Sequence, residues 1–510
     1  FLIILALVAF LIRKSIGLLP AEGRHLPLDT AYSLFRMFAA YILSLFFAIA
    51  FGFGAAYKGW ARKILLPTID ILQSIPVVGF FPVAVLFFIS LFNGERIGVE
   101  LASVFLIFTS QAWNMAFGIY ESLITIPKDL KRAMSSLNLT GWLKFKNFLF
   151  PACIPKLTYN SMVSWANGWY FLMACEIISI GSKKFSLPGL GSFLFTSTEK
   201  GRLDLTLIAF GVLTIIIILM DILIWRPLTA WSDKFIYQTT PGGETKPKSA
   251  LLSYFKDFVF FFKIVHVWKF LFNLFELMII KIELLVKKTT PGIKRFLKVF
   301  LQLLITIVSA ILLTLALFQV YPLILAFADK GLPAEASLIP LGIIVSFFRI
   351  LIAYIICLAW TYPLAILIGE NEKISKALMP IVQIFASIPA TAIFPLIVIF
   401  VTKYFIGGMN LASILLVLTG MQWYILFNLI AGIRVIPKEI KESAQAFGAS
   451  RWFYFKRILL PASFPSLITG SITGWGGAWN ALVVSEYVIF QHQTHTAFGI
   501  GSLLDIATFE

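Results

Sequence analysis

Apolar positions along this chain fall into long unbroken runs rather than into short alternations. Runs with at most one charge cover Thr30–Ala56, Ile64–Gly94, Ile97–Tyr120, Leu157–Ser182 and Leu205–Trp225. After a polar interval come Val299–Ala328, Leu338–Gly369, Ala377–Thr402, Tyr404–Ile433 and Ala462–Ser485. Each supplies the roughly 20 residues that carry a helix across a bilayer core. In lipid a helix satisfies its own backbone groups, so this pattern predicts an all-α polytopic membrane protein.

Composition agrees, since 59% of the residues are hydrophobic, more than the cores of a soluble chain of 510 residues require. The formal net charge of +17 raises nucleic acid as a partner. In a membrane protein, however, Lys and Arg gather in cytoplasmic loops, and that reading is adopted: a lipid bilayer is the expected partner, and nucleic acid is not. Phe1 already lies inside an apolar run with no basic segment before it, so the sequence is expected to begin part-way into a helix. Cys153, Cys175 and Cys357 have no metal or disulfide spacing and read as packing residues.

The runs repeat. "LPAE" at 19–22 returns at 332–335, "SLFR" ending in Arg36 returns as "SFFR" ending in Arg349, and "LQSIPVVGFFP" at 72–82 returns as "FASIPATAIFP" at 385–395, all 313 positions later. Farther along the offset is 310: Pro127 with Pro437, Trp142 with Trp452, Pro151 with Pro461, Trp165 with Trp475, Trp169 with Trp479, and Glu176 with Glu486. "GLGS" at 189–192 then matches "GIGS" at 499–502. The chain is therefore read as two fused copies, 1–231 and 296–510, of about five to six transmembrane helices each.

Basic residues follow equivalent spans in both copies, Lys58, Arg62 and Lys63 in one and Lys373 and Lys376 in the other. The copies thus run in the same direction, a parallel repeat about an axis along the membrane normal, with something passing or binding between the halves. Residues 232–295 differ: "TTPGGETKPK" is a linker, and the Phe-rich stretch 257–288 carries regular lysines. One or two amphipathic helices on the cytoplasmic face are expected there, although the stretch is long enough to span. The second copy stops at Glu510 without a counterpart to Leu205–Trp225, so its last helix is expected to be either missing from the sequence or lacking in this half.

One polar interruption, "ESAQAFGASRWFYFKRILLP" at 442–461, has a blurred copy, "RAMSSLNLTGWLKFKNFLFP", at 132–151. Pro437 suits a first helical turn, Glu439 and Glu442 sit near its positive end, and the small Ser443, Ala444 and Ala446 permit close approach. Gly448 permits a sharp turn, and the segment opening at Arg451 reads as a second short helix ended by Pro461. A plain connecting loop would satisfy the spacing as well. The stretch resembles the EAA coupling loop of ABC importer permeases, through Glu442, Ala444, Gly448, Ile458, Leu460 and Pro461, with Ser443 at the first Ala position. The "SIP" segments, the span starts ending in Arg36 and Arg349, and "GWGGAWNALVVSEYV" at 474–488 resemble the nitrate/sulfonate/taurine-type permeases.

That resemblance implies a type I importer fold and an inner-membrane location. It also implies two ATP-binding cassette subunits docked under the two loops and an extracytoplasmic solute-binding protein. ATP and Mg would belong to those subunits; this chain has no G-x-x-x-x-G-K-[ST] loop and is expected to bind no cofactor and hydrolyse no ATP. The implied cargo is a small anionic solute such as nitrate, bicarbonate or a sulfonate. In the first copy Arg132 and Ala133 replace the motif Glu and its neighbour, Asn138 replaces the Gly, and Pro151 is kept, so unequal coupling is expected. A duplicated secondary transporter and a non-transporting scaffold with the permease fold are the alternatives.

Candidates for the pathway follow from cost and repetition. Arg36, Arg349, Glu176 and Glu486 are charges inside apolar spans, which marks either function or mutual pairing. Ser74 and Pro76, like Ser387 and Pro389, break helices at mid-span, where freed carbonyls face a cavity or the kink only serves packing. Trp165, Trp169, Trp475 and Trp479 recur at i, i+4 on one face, for packing or for gating. Asp70, Glu100 and Asp221 lack charged counterparts in the second copy and receive no role. His492 and His495 without acidic or cysteine company do not make a metal site.

Overall fold

The computed structural model describes residues 21–235, 314 and 334–509, apart from 58, 75–76, 137–140, 181–182, 389, 435, 437 and 491–492. The expected span Val299–Ala328 apart from Thr314, the interfacial segment at 257–288, Pro76, Asn138, Pro389 and His492 lie outside the described residues.

In the first copy the order is α1 (Leu26–Tyr57), α2 (Gly59–Ser74), α3 (Val77–Leu91), α4 (Arg96–Ile124), α5 (Lys128–Ser136), α6 (Gly141–Lys144) and α7 (Phe150–Cys175). Strands β1 (Ile177–Ile180) and β2 (Lys183–Ser186) follow, then α8 (Leu190–Glu199), α9 (Leu203–Met220) and α10 (Arg226–Ser232). The second copy repeats the series as α11 (Ile339–Glu370), α12 (Glu372–Ser387), α13 (Ala390–Tyr404), α14 (Gly408–Arg434), α15 (Lys438–Ala446), α16 (Arg451–Tyr454) and α17 (Leu460–Ser485). It closes with β3 (Tyr487–Phe490), β4 (Gln493–Thr496) and α18 (Ile500–Phe509). Among the described residues five helices are long and apolar enough to cross a bilayer, or six if the bent pair α12–α13 counts as one span.

The apolar runs become helices largely where the pattern places them, with three informative differences. The runs at 64–94 and 377–402 are each two helices, and in the second copy the two parts meet at 79°. The break falls at the "SIP" sequences, where proline removes a backbone donor and biases its predecessor away from helix. The fold is also not purely helical. The run expected to span 157–182 leaves the helix at Cys175, and β1 pairs antiparallel with β2, Ile177 opposite Ser186. In the same way β3 pairs with β4, Tyr487 opposite Thr496. β-branched and aromatic residues in "IISI" and "YVIF" suit a short ribbon. Finally, Pro461 does not end the second helix of its loop. A π-helical turn, Phe455–Leu459, joins α16 to α17, and Pro461 sits in the first turn of α17, where its missing N–H costs no bond. Phe145–Leu149 forms the same turn before α7.

The chain forms two compact units that cut across the repeat. One gathers residues 1–124, 156–229 and 339–510, and so holds most of both copies; the other holds 125–155 and 230–338. In the first unit, α1 and α4 pack together in one copy, and α14 packs on α11 and α17 in the other. Trp165 and Trp169 are buried in the first core, Trp165 lying 4.8 Å from Phe38 and 6.1 Å from Trp225 between ring centroids. Trp475 and Trp479 are partly buried against the second core, and Trp475 meets Phe347 at 5.5 Å. The three cysteines are buried and free.

Within this unit the copies also touch. Tyr424 on α14 donates from its hydroxyl to Asn167 Oδ1 on α7 at 2.5 Å. Thr391 on α13 donates to the carbonyl of Tyr170 at 3.1 Å, and the Tyr170 ring meets Phe394 edge-on at 6.3 Å. Each ribbon neighbours the other copy's short helix, β1 beside α18 and β3 beside α8.

Close helix approach depends on glycine. A Cβ on Gly420 would lie 2.6 Å from Ala481 Cβ and 3.2 Å from the Gly477 carbonyl, whereas one on Gly476 meets nothing within 4 Å. Gly420→Val is expected to force α14 from α17 at a cost of about 1–3 kcal/mol, lowering Tm in detergent. Gly476→Val should leave Tm near the parent value, and equal shifts in the two variants would refute this account of the packing.

Candidate functional site

Three of the repeated sequence elements converge on one arrangement, built twice. In the first copy Arg36, 1% exposed, projects from α1 among three groups. Its Nη1 donates to Glu176 Oε1 at 2.8 Å and to the Pro188 carbonyl at 3.0 Å. Its Nε and Nη2 donate to the two carboxylate oxygens of Glu100 at 2.6 and 2.9 Å, a bidentate pairing suited to the planar guanidinium. Ser33, the first residue of "SLFR", donates to Glu176 Oε1 at 2.5 Å.

The same Glu176 closes the start of α8. Gly191 and Ser192 donate their backbone N–H groups to Glu176 Oε2 at 2.6 and 3.3 Å, and Leu190 N–H donates to Ser33 Oγ at 2.8 Å. A helix N-terminus leaves donors unsatisfied and carries partial positive charge, so a buried carboxylate there meets both needs. "GLGS" supplies the room: a Cβ on Gly189 would stand 2.2 Å from the Glu176 carboxylate.

In the second copy Arg349 Nη1 donates to Glu486 Oε1, Ser346 donates to the same oxygen at 2.7 Å, and Gly501 N–H donates to Oε2 at 2.7 Å. Ile500 N–H reaches Ser346 Oγ at 2.9 Å, and Arg349 Nη2 reaches the Phe498 carbonyl at 3.2 Å. The copies differ in the charge set around the arginine. Where Glu100 faces Arg36, Asn410 accepts from Arg349 Nη2 at 3.0 Å. Arg96, 3.5 Å from Glu100, has the uncharged Ile406 as its counterpart at the 310 offset, so the acid and its second base leave together. Arg36 and Arg96 against Glu100 and Glu176, and Arg349 against Glu486, each sum to zero charge.

Arg36, Arg349, Glu176 and Glu486 are thus brought together in pairs. The tryptophans lie in the cores, and Ser74 and Ser387 end α2 and α12. Glu100 and Asn410 were missed because the residues differ in charge, although their shared offset marked them; Ser33 and Ser346 stood unread inside the motif. Asp221, also given no role, pairs with Arg226 at 2.8 Å.

The other candidate region is the polar interruption. In the first unit α15 ends at Ala446, and Gly448 turns the chain with φ +66°, a left-handed value that favours glycine. Ser450 caps α16 by accepting from Phe453 N–H at 3.2 Å. Glu442, Ser443 and Arg451 are exposed, Ala444 is buried, and Phe447 and Trp452 stand 89% and 68% exposed. A shallow cavity of about 390 Å³ lies between Ile440, Ala444, Phe447, Phe453 and Ile458. Tyr454 reaches Glu370 at 3.3 Å, and burial with that neighbouring carboxylate pushes its hydroxyl pKa up to about 12. In the second unit α5 carries exposed Arg132, 3.6 Å from Asp129, followed by Ala133; Trp142, Phe145 and Phe150 stack at 5.2 and 5.6 Å just before Pro151.

Apolar spans, duplicated buried ion pairs and a polar helix–turn–helix define a duplicated, multi-pass membrane permease. The chain belongs to the family of binding-protein-dependent transport system inner membrane components, which matches residues 32–226 and 361–502. It is 29% identical over 172 residues to the nitrate import permease protein NrtB of Synechocystis sp., covering 34% of this chain and 60% of that protein. It is 28% identical over 147 residues to the taurine transport system permease protein TauC of Escherichia coli, covering 28% and 50%. To the riboflavin transport system permease protein RibX of Chloroflexus aurantiacus it is 33% identical over 135 residues, covering 26% and 46%. The chain thus spans about half the length of the curated relatives it matches.

Removing one partner of a buried ion pair leaves the other charge desolvated, at a cost of about 3–5 kcal/mol. Arg36→Met should therefore lower Tm sharply, and Arg36→Met with Glu100→Gln and Glu176→Gln should recover part of the loss. Thermal unfolding in detergent checks this; an unchanged Tm for the single variant would show that the pair does not hold α1 to α7.

Proposed function

We propose that this chain is the translocation subunit of an ATP-driven importer, taking up a small anionic solute delivered by an external binding protein. The helix–turn–helix at 438–461 carries the proposal: it presents a charged first helix, a glycine turn and exposed aromatic rings beside a shallow apolar cavity. Such a surface on a membrane protein suits a soluble partner, and two ATP-binding cassette subunits are the proposed ones, one at 442–461 and one at 132–151. ATP and Mg would be held by those subunits. The names of relatives in the nitrate, taurine and bicarbonate systems support an anion as cargo.

The two docking stretches differ in sign at one place, Arg132 against Glu442. Because α15 carries the motif carboxylate, it is proposed as the stronger coupling site. Glu442→Lys should reduce transport at least tenfold while leaving ATP hydrolysis running, and Arg132→Glu should change transport less than threefold. Paired uptake and hydrolysis assays on the chain with its co-purified ATPases test this; negligible effects in both would remove the coupling assignment. Absence of any ATPase after gentle isolation and crosslinking would instead favour a scaffold or a secondary carrier.

A further inference from the structure

The hairpin of α3 and α4 and that of α13 and α14 are counterparts, and they differ in how their junction is filled. "LASVFLIFT" at 101–109 returns as "LASILLVLT" at 411–419, and residues 81–91 return as 394–404. In the first copy three rings lie along the junction: Phe88 meets Phe105 at 5.4 Å, and Phe105 meets Phe108 at 6.1 Å between centroids. In the second copy the same positions are Val401, Leu415 and Leu418. There an apolar groove of about 750 Å³ is lined by Leu396, Phe400, Val401, Leu411, Leu415 and Leu418 among others. That volume falls within the range of about 300–1,000 Å³ found for sites that hold small organic ligands. Protein interiors are otherwise close-packed, so a groove opened by trading rings for smaller side chains calls for an occupant.

The outer end of the groove, opposite the loop at 438–461, has changed in step. Ser90 and Leu91 of the first copy are replaced by Lys403 and Tyr404. Both are exposed, and Lys403 Nζ stands 5.3 Å from the centre of the Tyr404 ring. Phe400, which lines the groove, meets the rings of Tyr404 and Phe405 at 5.4 and 5.6 Å, so the cation sits at the groove's aromatic edge. A tyrosine beside a lysine at the end of a membrane hairpin belongs at headgroup level. No acid occurs between Glu372 and Glu439, whereas the first copy carries Glu95 and Glu100 at and just after the equivalent turn. Helices α13 and α14 thus bring a cation and no acid to the rim of an apolar slot.

We infer that this groove holds one acidic phospholipid, with an acyl chain between α13 and α14 and the phosphate beside Lys403. A lipid tail gains little by leaving lipid for another apolar surface, so retention rests on the fit of the slot and on the headgroup. A second copy of the chain, or another of its own segments, would fill the slot without using the lysine. The inference concerns the bilayer alone and stands whatever the cargo and the ATPases prove to be.

Native mass spectrometry of the full chain in detergent, with dioleoyl phosphatidylglycerol or dioleoyl phosphatidylcholine added, counts bound lipids and copies together. The parent should retain one phosphatidylglycerol, favoured at least fivefold over phosphatidylcholine; equal retention of the two would overturn the acidic lipid. Lys403→Ser should reduce that preference about fivefold, the effect of one lysine beside an acidic headgroup. An unchanged preference would overturn the headgroup contact. Val401→Phe with Leu415→Phe and Leu418→Phe restores the rings of the first copy, against neighbours Ala412 and Leu416 that match Ala102 and Leu106. This filled variant should retain either lipid at least tenfold less. Unchanged retention would overturn the groove, whether dimers vanish, as a second copy in the slot requires, or Tm falls, as a segment of this chain there requires. Should the filled variant not fold, the headgroup preference of Lys403→Ser decides alone.

Discussion

A carboxylate buried at the start of a short helix is the interaction on which the rest of each copy depends. Glu176 and Glu486 each accept from a serine and an arginine of the first long helix and from backbone N–H groups of the last short one. An isolated carboxylate in such surroundings would be prohibitively costly. With donors on every side it becomes a tie between α1, α7 and α8, or between α11, α17 and α18. The ribbons then close on the same residues, for Leu187 N–H donates to the Glu176 carbonyl at 2.9 Å and Ala497 N–H to that of Glu486 at 2.8 Å. Side chain and backbone of one residue thus organise a whole end of each copy.

This assignment changes how charges inside the spans are understood. An arginine in an apolar helix invites an anion-attracting role, and the sequence left that reading open beside a structural one. The neutral sum of each network and the short distances to carboxylates show Arg36 and Arg349 paired within their own copies.

Much of this was legible in the sequence, and for a definite reason. Repetition at fixed offsets picked out "SLFR" and "SFFR", the two glutamates, and "GLGS" and "GIGS", because the tie needs all three and changes in any would break it. What repetition marked without explaining was their meeting point, since partners 140 positions apart are joined only by folding. Glu100 was overlooked because its counterpart Asn410 accepts the same kind of bond without charge. The ribbons were hidden because four-residue strands are too short to show a period of two. Asn167, Tyr170 and Tyr424 gave no signal, as single uncharged polar residues barely disturb an apolar run. Pro461 was misread as a stop because a π-helical turn can receive a proline that an unbroken α-helix would reject.

Having both copies on one polypeptide changes what a mutation can do. In an assembly of identical subunits every substitution appears twice, and any group introduced at the axis must tolerate its own rotation-related copy. Here Tyr424 meets Asn167, while their counterparts are Asn114 and Gly477. Each side can be altered alone, by single steps, without a matching change across the axis. Fusion has released the contact between the copies from symmetry while the ties within each copy have kept it.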